Sequence, residues 1–165
     1  MITTKVFENF INGKWQESKS GKFIDSINPV NRQVMGSVQA STVEEANEAL
    51  EAASMAVKEW RKLGDFQRGQ LLYKVASLLE ENMEDIAKTL TDEMGKTYPE
   101  ALGETQRGIA ILKYYAAEGA RSNGEVIPAS EKDALMFTKR TSLGVVGVIT
   151  PWNFPVAIPI WKIAP

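Results

Sequence analysis

Asn153 stands in the run Thr150-Pro151-Trp152-Asn153-Phe154-Pro155, a single amide between two aromatic rings and two prolines. Each proline restricts its own φ and stiffens the loop. A rigid, apolar, water-poor loop that presents one amide meets the needs of an oxyanion site. The Asn NH2 can donate to developing negative charge with little reorganisation, and such a donor contributes about 3 kcal/mol to transition-state stabilisation. The other reading is conformational: an Asn that bonds the backbone and shapes a turn.

Other candidates are weaker. Gly95-Lys96-Thr97 has the ending of a phosphate-binding loop, but the glycine required five residues earlier is Leu90 and the lead-in is helical. A C-cap glycine followed by a polar turn is the simpler reading. Gly144 and Gly147 lie in a β-branched run ahead of an apolar stretch, without the G-x-G-x-x-G spacing. Glycines there more often permit close backbone packing. The acidic pairs Glu44–Glu45, Glu80–Glu81, Glu84–Asp85 and Asp92–Glu93 have Lys or Arg nearby. Neighbours on a helix point about 100° apart, so these read as solvated faces rather than ligands. No metal site is expected.

Composition narrows the chemistry further. The chain has 165 residues, enough for one ordinary domain. It contains no Cys and no His. That excludes a thiolate nucleophile, a disulfide and Cys-bound metal within this chain. It also removes the usual general base, and with it Ser–His–Asp and Cys–His mechanisms. Lys plus Arg is 19 against 21 for Asp plus Glu, a net charge of −2. That balance carries no footprint for nucleic acid. Residues 144–165 are the most apolar, but four prolines and Asn153 interrupt them, and a membrane-spanning helix needs about 20 predominantly apolar residues. No leader peptide is legible at Met1, so a cytoplasmic setting is expected.

The elements that must carry the Asn153 loop can be read from pattern. Asn12-Gly13 between apolar residues predicts a hairpin. Strands are expected at 23–27 and 34–39, with Asn28-Pro29 breaking the first. Ser41 with Glu44 fits a capping box. Ala46, Ala49, Leu50, Ala53, Val57 and Trp60 then recur at helical spacing. Gly64 ends that helix and Asp65 caps the next, whose stripe is Leu71, Leu72, Val75, Leu78 and Leu79. A third helix spans about 83–94 and stops at Gly95. Pro99 opens a fourth that runs towards Gly119. After Asn123-Gly124 two strands, 125–128 and 134–140, flank a polar loop.

The run 144–149 is uncharged and β-branched, as in parallel strands buried on both faces. A parallel strand needs parallel neighbours, each reached by a crossover. An apolar closing segment would also leave a large patch in water. The expectation is the front part of a larger α/β protein, or one half of a split one.

Five blocks follow one another in a specific order. They are Phe10-Ile11-Asn12-Gly13-Lys14-Trp15, Asn28-Pro29, Glu93-Met94-Gly95-Lys96-Thr97, residues 144–155, and Trp161-Lys162-Ile163-Ala164-Pro165. On these the sequence resembles the aldehyde dehydrogenase superfamily over nearly its whole length. Residues 103–112 with Tyr114-Tyr115 resemble the branch acting on 2,5-dioxovalerate (α-ketoglutaric semialdehyde), to which succinate-semialdehyde dehydrogenases are near relatives.

The resemblance implies an α/β fold, the N-terminal portion of an aldehyde dehydrogenase. It would comprise β-hairpins, a helical layer and the first strand of a Rossmann-like NAD-binding domain. Residues 1–123 would be the N-terminal part of that domain, 124–142 a β-hairpin arm for homo-oligomers, and 143–165 the first core strand, oxyanion loop and start of a helix. In the family a Cys thiolate attacks the aldehyde, hydride passes to NAD or NADP, and a Glu-activated water releases the acid. Asn153 resembles the side-chain half of the oxyanion hole. Ile149, Thr150, Pro151 and Trp152, with Asn153 close by, resemble the contacts to the nicotinamide and its ribose. Phe154, Ile158 and Trp161 resemble the apolar wall of the aldehyde tunnel.

The Cys and Glu of that mechanism would lie beyond Pro165, so the chain alone is expected to be inactive. The alternatives are half of a split enzyme completed by a partner chain, or a non-catalytic helical interaction module. Arg107 is a candidate for a substrate carboxylate, with a solvated helix charge as its simpler reading.

Overall fold

The computed structural model describes residues 5–121 and 124–165. The expectations at Met1 and at Asn123 fall on residues outside that range.

Strands β1 (Val6–Phe7), β2 (Asn9–Ile11), β3 (Lys14–Gln16), β4 (Phe23–Ile27) and β5 (Val34–Gln39) come first. β2 and β3 form the expected hairpin, with Phe10 opposite Trp15. Asn12 (φ 51°) and Gly13 (φ 76°) supply the two positive φ angles of its turn. β4 pairs antiparallel with β5, and β1 adds parallel to the other edge of β5. In the turn between β4 and β5, Asn28 Oδ1 accepts from the N–H groups of Val30 (2.8 Å) and Asn31 (3.3 Å).

Helix α1 spans Val43–Lys62, and its cap lies one residue later than the sequence reading placed it. Thr42 and Glu45 form the capping box, not Ser41 and Glu44. Ser41 is engaged elsewhere, its hydroxyl accepting from Asn9 Nδ2 at 2.7 Å. Glu45 is 2% exposed. Its carboxylate accepts from the Thr42 N–H (2.8 Å), the Lys19 N–H (2.7 Å) and the Ser18 hydroxyl (2.8 Å). These bonds hold the Glu45 carboxyl below its ordinary range, against the opposing effect of burial. The helical spacing of α1 is as expected, but its apolar stripe is not covered: Leu50 and Trp60 are about half exposed.

Helix α2 spans Asp65–Glu81. Gly64 is its N-cap and Gln67 reaches back to the Gly64 N–H. The expected cap, Asp65, is instead the first helical residue and pairs with Arg68. α3 (Met83–Met94) ends as expected at Gly95, whose φ of 82° is left-handed. α4 (Tyr98–Ala116) carries Pro99 in its first turn. It gives way to a short 3-10 turn at Glu118–Ala120. β6 (Val126–Ile127) pairs antiparallel with β7 (Met136–Phe137), both shorter than expected. α5 (Ala157–Ile163) closes the described chain.

The core lies where α2, α4 and α5 meet: Ala76, Ile109, Leu112, Ile160 and Ala164. A second small cluster, Ala87, Leu90 and Ala101, joins α3 to α4. The expected strand at 144–149 is not formed: among the described residues nothing pairs with it. Ile149 is 99% exposed. A buried parallel strand exists only beside neighbours, and none is present among these residues. No described helix is long and apolar enough to cross a membrane.

Two outcomes follow. A Cβ on Gly69 would stand 2.2 Å from the Ala116 carbonyl oxygen. Backbone cannot yield as a side chain can, so Gly69→Ala is expected to destabilise the fold by about 1–3 kcal/mol in denaturant unfolding. Unchanged stability would mean that α2 and α4 do not approach this closely. The second concerns acid. Because the folded Glu45 pKa lies below its ordinary value of 4.5, its contribution is fully present above that value and lost as pH falls through the folded one. Glu45→Gln should therefore flatten the acid limb of the pH–stability curve; an unaltered limb would contradict this.

Candidate active site

The loop from Thr150 to Val156 turns the chain from an extended run into α5. Ile158 N–H donates to the Phe154 carbonyl at 3.1 Å, giving the first turn of helix. One buried carboxylate receives this turn. Glu104, in the middle of α4, is 4% exposed. Its Oε1 accepts from the N–H groups of Val156 (2.8 Å) and Ala157 (3.1 Å). These amides open α5 and have no intrahelical acceptor, so a carboxylate is a favourable partner for them. The other oxygen, Oε2, pairs with Lys96.

Lys96 completes the arrangement. It follows Gly95, whose left-handed backbone ends α3 and redirects the chain towards α4. A Cβ on Gly95 would stand 2.9 Å from the Pro29 ring, so the β4–β5 turn packs closely on this cap. Lys96 Nζ also donates to the Asn153 carbonyl at 3.2 Å and lies 4.5 Å above the Phe154 ring. The phosphate-loop likeness of Gly95-Lys96-Thr97 is thus absorbed by a helix cap and an ion pair.

Asn153 is held through its carbonyl. Its side-chain amide makes no hydrogen bond among the described residues. The turn is therefore not shaped by that amide, as the conformational reading required; Lys96 and Glu104 shape it. Asn153 and Phe154 line an open groove of about 560 Å³ together with Lys96, Gly103, Glu104 and Arg107. Arg107 is exposed on α4, as a solvated helix charge would be. Its guanidinium stacks 5.5 Å over the Trp161 ring, and no carboxylate pairs with it among the described residues.

The structure brings some expected site residues together and leaves others apart. Asn153 and Phe154 line the groove, and Trp161 borders it through Arg107. Phe154 precedes α5 rather than lying on it. Ile158, half-buried, is not among the groove residues. Ile149, Thr150, Pro151 and Trp152 form the extended approach to the groove, where Trp152 is 79% exposed. Lys96 and Glu104 were not singled out for this site. The available signal was Glu104 itself, a charged residue at core spacing between Ala101 and Gly108.

The chain belongs to the aldehyde dehydrogenase family, whose profile matches residues 15–165. It is 59% identical over 158 residues to the alpha-ketoglutaric semialdehyde dehydrogenase of Bacillus subtilis (strain 168), covering 95% of this chain and 32% of the relative. Among solved structures it is similar to an E. coli NADP dependent enzyme, with TM-score 0.92 and 34% identity, covering 96% of this chain and 33% of that one. It is also similar to a betaine aldehyde dehydrogenase variant from Staphylococcus aureus in complex with NAD+, with TM-score 0.91 and 31% identity, covering 95% and 32% respectively. The chain spans about a third of the length of the curated relatives it matches.

Proposed function

We propose that this chain is the N-terminal part of a cytoplasmic, NAD(P)-dependent aldehyde dehydrogenase that converts a carboxylate-bearing semialdehyde to an acid. Asn153 is its side-chain oxyanion donor. The observation that carries this is Asn153 at the groove, its carbonyl accepting one bond from Lys96 and its side-chain amide uncommitted among the described residues. A donor whose NH2 is uncommitted and whose backbone is fixed can meet negative charge on the aldehyde oxygen without reorganising. Phe154 supplies an apolar ring beside Asn153 on the groove; Trp161 and Ile158, further along the same run, are read with it as the aldehyde-facing wall.

The residues present suit a nicotinamide cofactor. Residues 149–151 lie outside helix and strand and lead directly to Asn153 at the groove. Ile149, Thr150, Pro151 and Trp152 would hold the nicotinamide end of the cofactor beside Asn153. When bound, the nicotinamide accepts the hydride that the oxidation releases.

Arg107 supports the substrate class. It lies on the groove that also holds Asn153, 5.5 Å over the Trp161 ring, and no carboxylate pairs with it among the described residues. A guanidinium so placed can bind a carboxylate by two parallel bonds. The relative from Bacillus subtilis, named for a semialdehyde carrying a carboxylate, agrees with this. The segment 124–142 is read as an arm for subunit association, since Val126 (75%), Leu135 (74%) and Phe137 (62%) expose apolar surface on one hairpin. Residues 1–123 and 143–165 are read as parts of the cofactor-binding domain on either side of it.

Without Cys in the chain, the 165 residues alone are expected to form no NADH or NADPH from aldehyde. Addition of a C-terminal fragment of the family carrying Cys and Glu should restore turnover, and Asn153→Ala should lower the restored kcat by about 10²–10³. Turnover by the purified chain alone, or an undiminished Asn153→Ala complex, would refute the assignment. In the same complex, Arg107→Met should raise KM for a carboxylate-bearing semialdehyde by about tenfold or more, leaving a neutral aldehyde unaffected. Equal effects on both substrates would remove Arg107 from carboxylate recognition.

A further inference from the structure

We infer that Lys96 and Glu104 act as one ion pair that positions the Asn153 loop, neither of them touching substrate. This deepens the reading of Asn153 as oxyanion donor and rests on it, because it concerns what aims that amide.

The pair grips the chain at the donor residue and along the three to four residues that follow it. Glu104 Oε1 holds the N–H groups of Val156 and Ala157. Lys96 Nζ holds the Asn153 carbonyl and covers the Phe154 ring. Residues 153, 154, 156 and 157 are therefore all contacted by two side chains that contact each other. The Asn153 side chain is the part left ungripped. Both charges are withdrawn from water, at 8% exposure for the Lys96 side chain and 0% for that of Glu104.

Burial of the pair is weak evidence for stability. The attraction between buried charges is largely offset by their desolvation, whereas loss of one partner strands the other. What the arrangement does supply is direction. Lys96 is set by the end of α3 and Glu104 by the middle of α4, two helices joined through Ala87, Leu90 and Ala101. The loop inherits its place from that rigid junction. A donor whose position relative to the reacting oxygen must be held to within about 0.5 Å needs such support.

The test is backbone amide exchange by NMR on the 165-residue chain, unaltered and as Glu104→Gln, Lys96→Met and the double variant. In the unaltered chain the Val156 and Ala157 amides should be protected. Each single variant should speed their exchange about tenfold, the loss expected for a charged hydrogen bond. It should also shift the Asn153 side-chain NH2 resonances while those of Asn9 stay in place. The double variant should fall short of the product of the two single factors, since one interaction is lost only once. The Leu112 amide, in the main core, reports general unfolding and should be unchanged. Unprotected amides in the unaltered chain overturn the inference without any variant. So do singles without effect, factors that multiply, or an equal rise at Leu112, which would assign the pair to general stability. No turnover is measured, so an Asn153→Ala complex that kept full activity would remove the donor role and leave this result standing.

Discussion

A carboxylate buried in a helix and facing the start of another helix is a demanding constraint. Glu104 must meet a cation on one side and backbone amides on the other, or its burial costs several kcal/mol. The structure satisfies it from three directions. Gly95 ends α3 in a left-handed conformation that sends Lys96 back towards α4. Pro29 packs on that glycine and ties the β4–β5 turn to the junction. The proline-rich loop then delivers Val156 and Ala157 N–H groups to the free oxygen. Displacement of any one of these elements leaves a buried charge or a buried amide unpaired.

The packing around this junction works by small residues rather than large ones. Ala76, Ala87, Ala101, Ala157 and Ala164 are buried, and Gly69 lies against the Ala116 carbonyl. Gly108 lets Ile160 of α5 approach α4, where a Cβ would stand 2.8 Å from the Ile160 methyl. Close helix approach brings α4 near enough to α5 for Glu104 to reach its first amides and for Arg107, on the same helix, to stack on Trp161. Backbone proximity, the buried pair and the aromatic contact are therefore coupled features of one helix–helix interface. A site built on such an interface is held more firmly than one built on loop residues alone.

Charge is distributed unevenly at the groove. Lys96 is neutralised by Glu104 and its remaining donors are taken up by the Asn153 carbonyl and the Phe154 ring face. Arg107 has an aromatic partner but no carboxylate among the described residues. One cation is thus structural and the other is available, although the two lie on the same groove. Their residue types follow the same division: an ammonium is a compact point charge, and a planar guanidinium stacks on a ring while presenting its donors.

Short-range features were legible in the sequence because dihedral limits and neighbouring side chains determine them. Asn12-Gly13 demanded positive φ and formed the hairpin turn. Gly95 ended α3 and Pro99 opened α4 for the same local reasons. The cap of α1 was misplaced by one residue because Ser41 and Thr42, with Glu44 and Glu45, offer two equivalent boxes. Only the docking of Ser18 and Lys19 onto Glu45 separates them. The run 144–149 had strand chemistry, yet a strand is a pairing and needs another segment beside it. The order of motifs, with the lone amide of Asn153 in its apolar loop, was enough to identify the family. Tertiary structure alone decided that Glu104 reaches Val156, 52 residues away, that Lys96 completes the pair, and that Arg107 stacks on Trp161. Those contacts join distant elements through packing, and no local pattern encodes the distance between two helices.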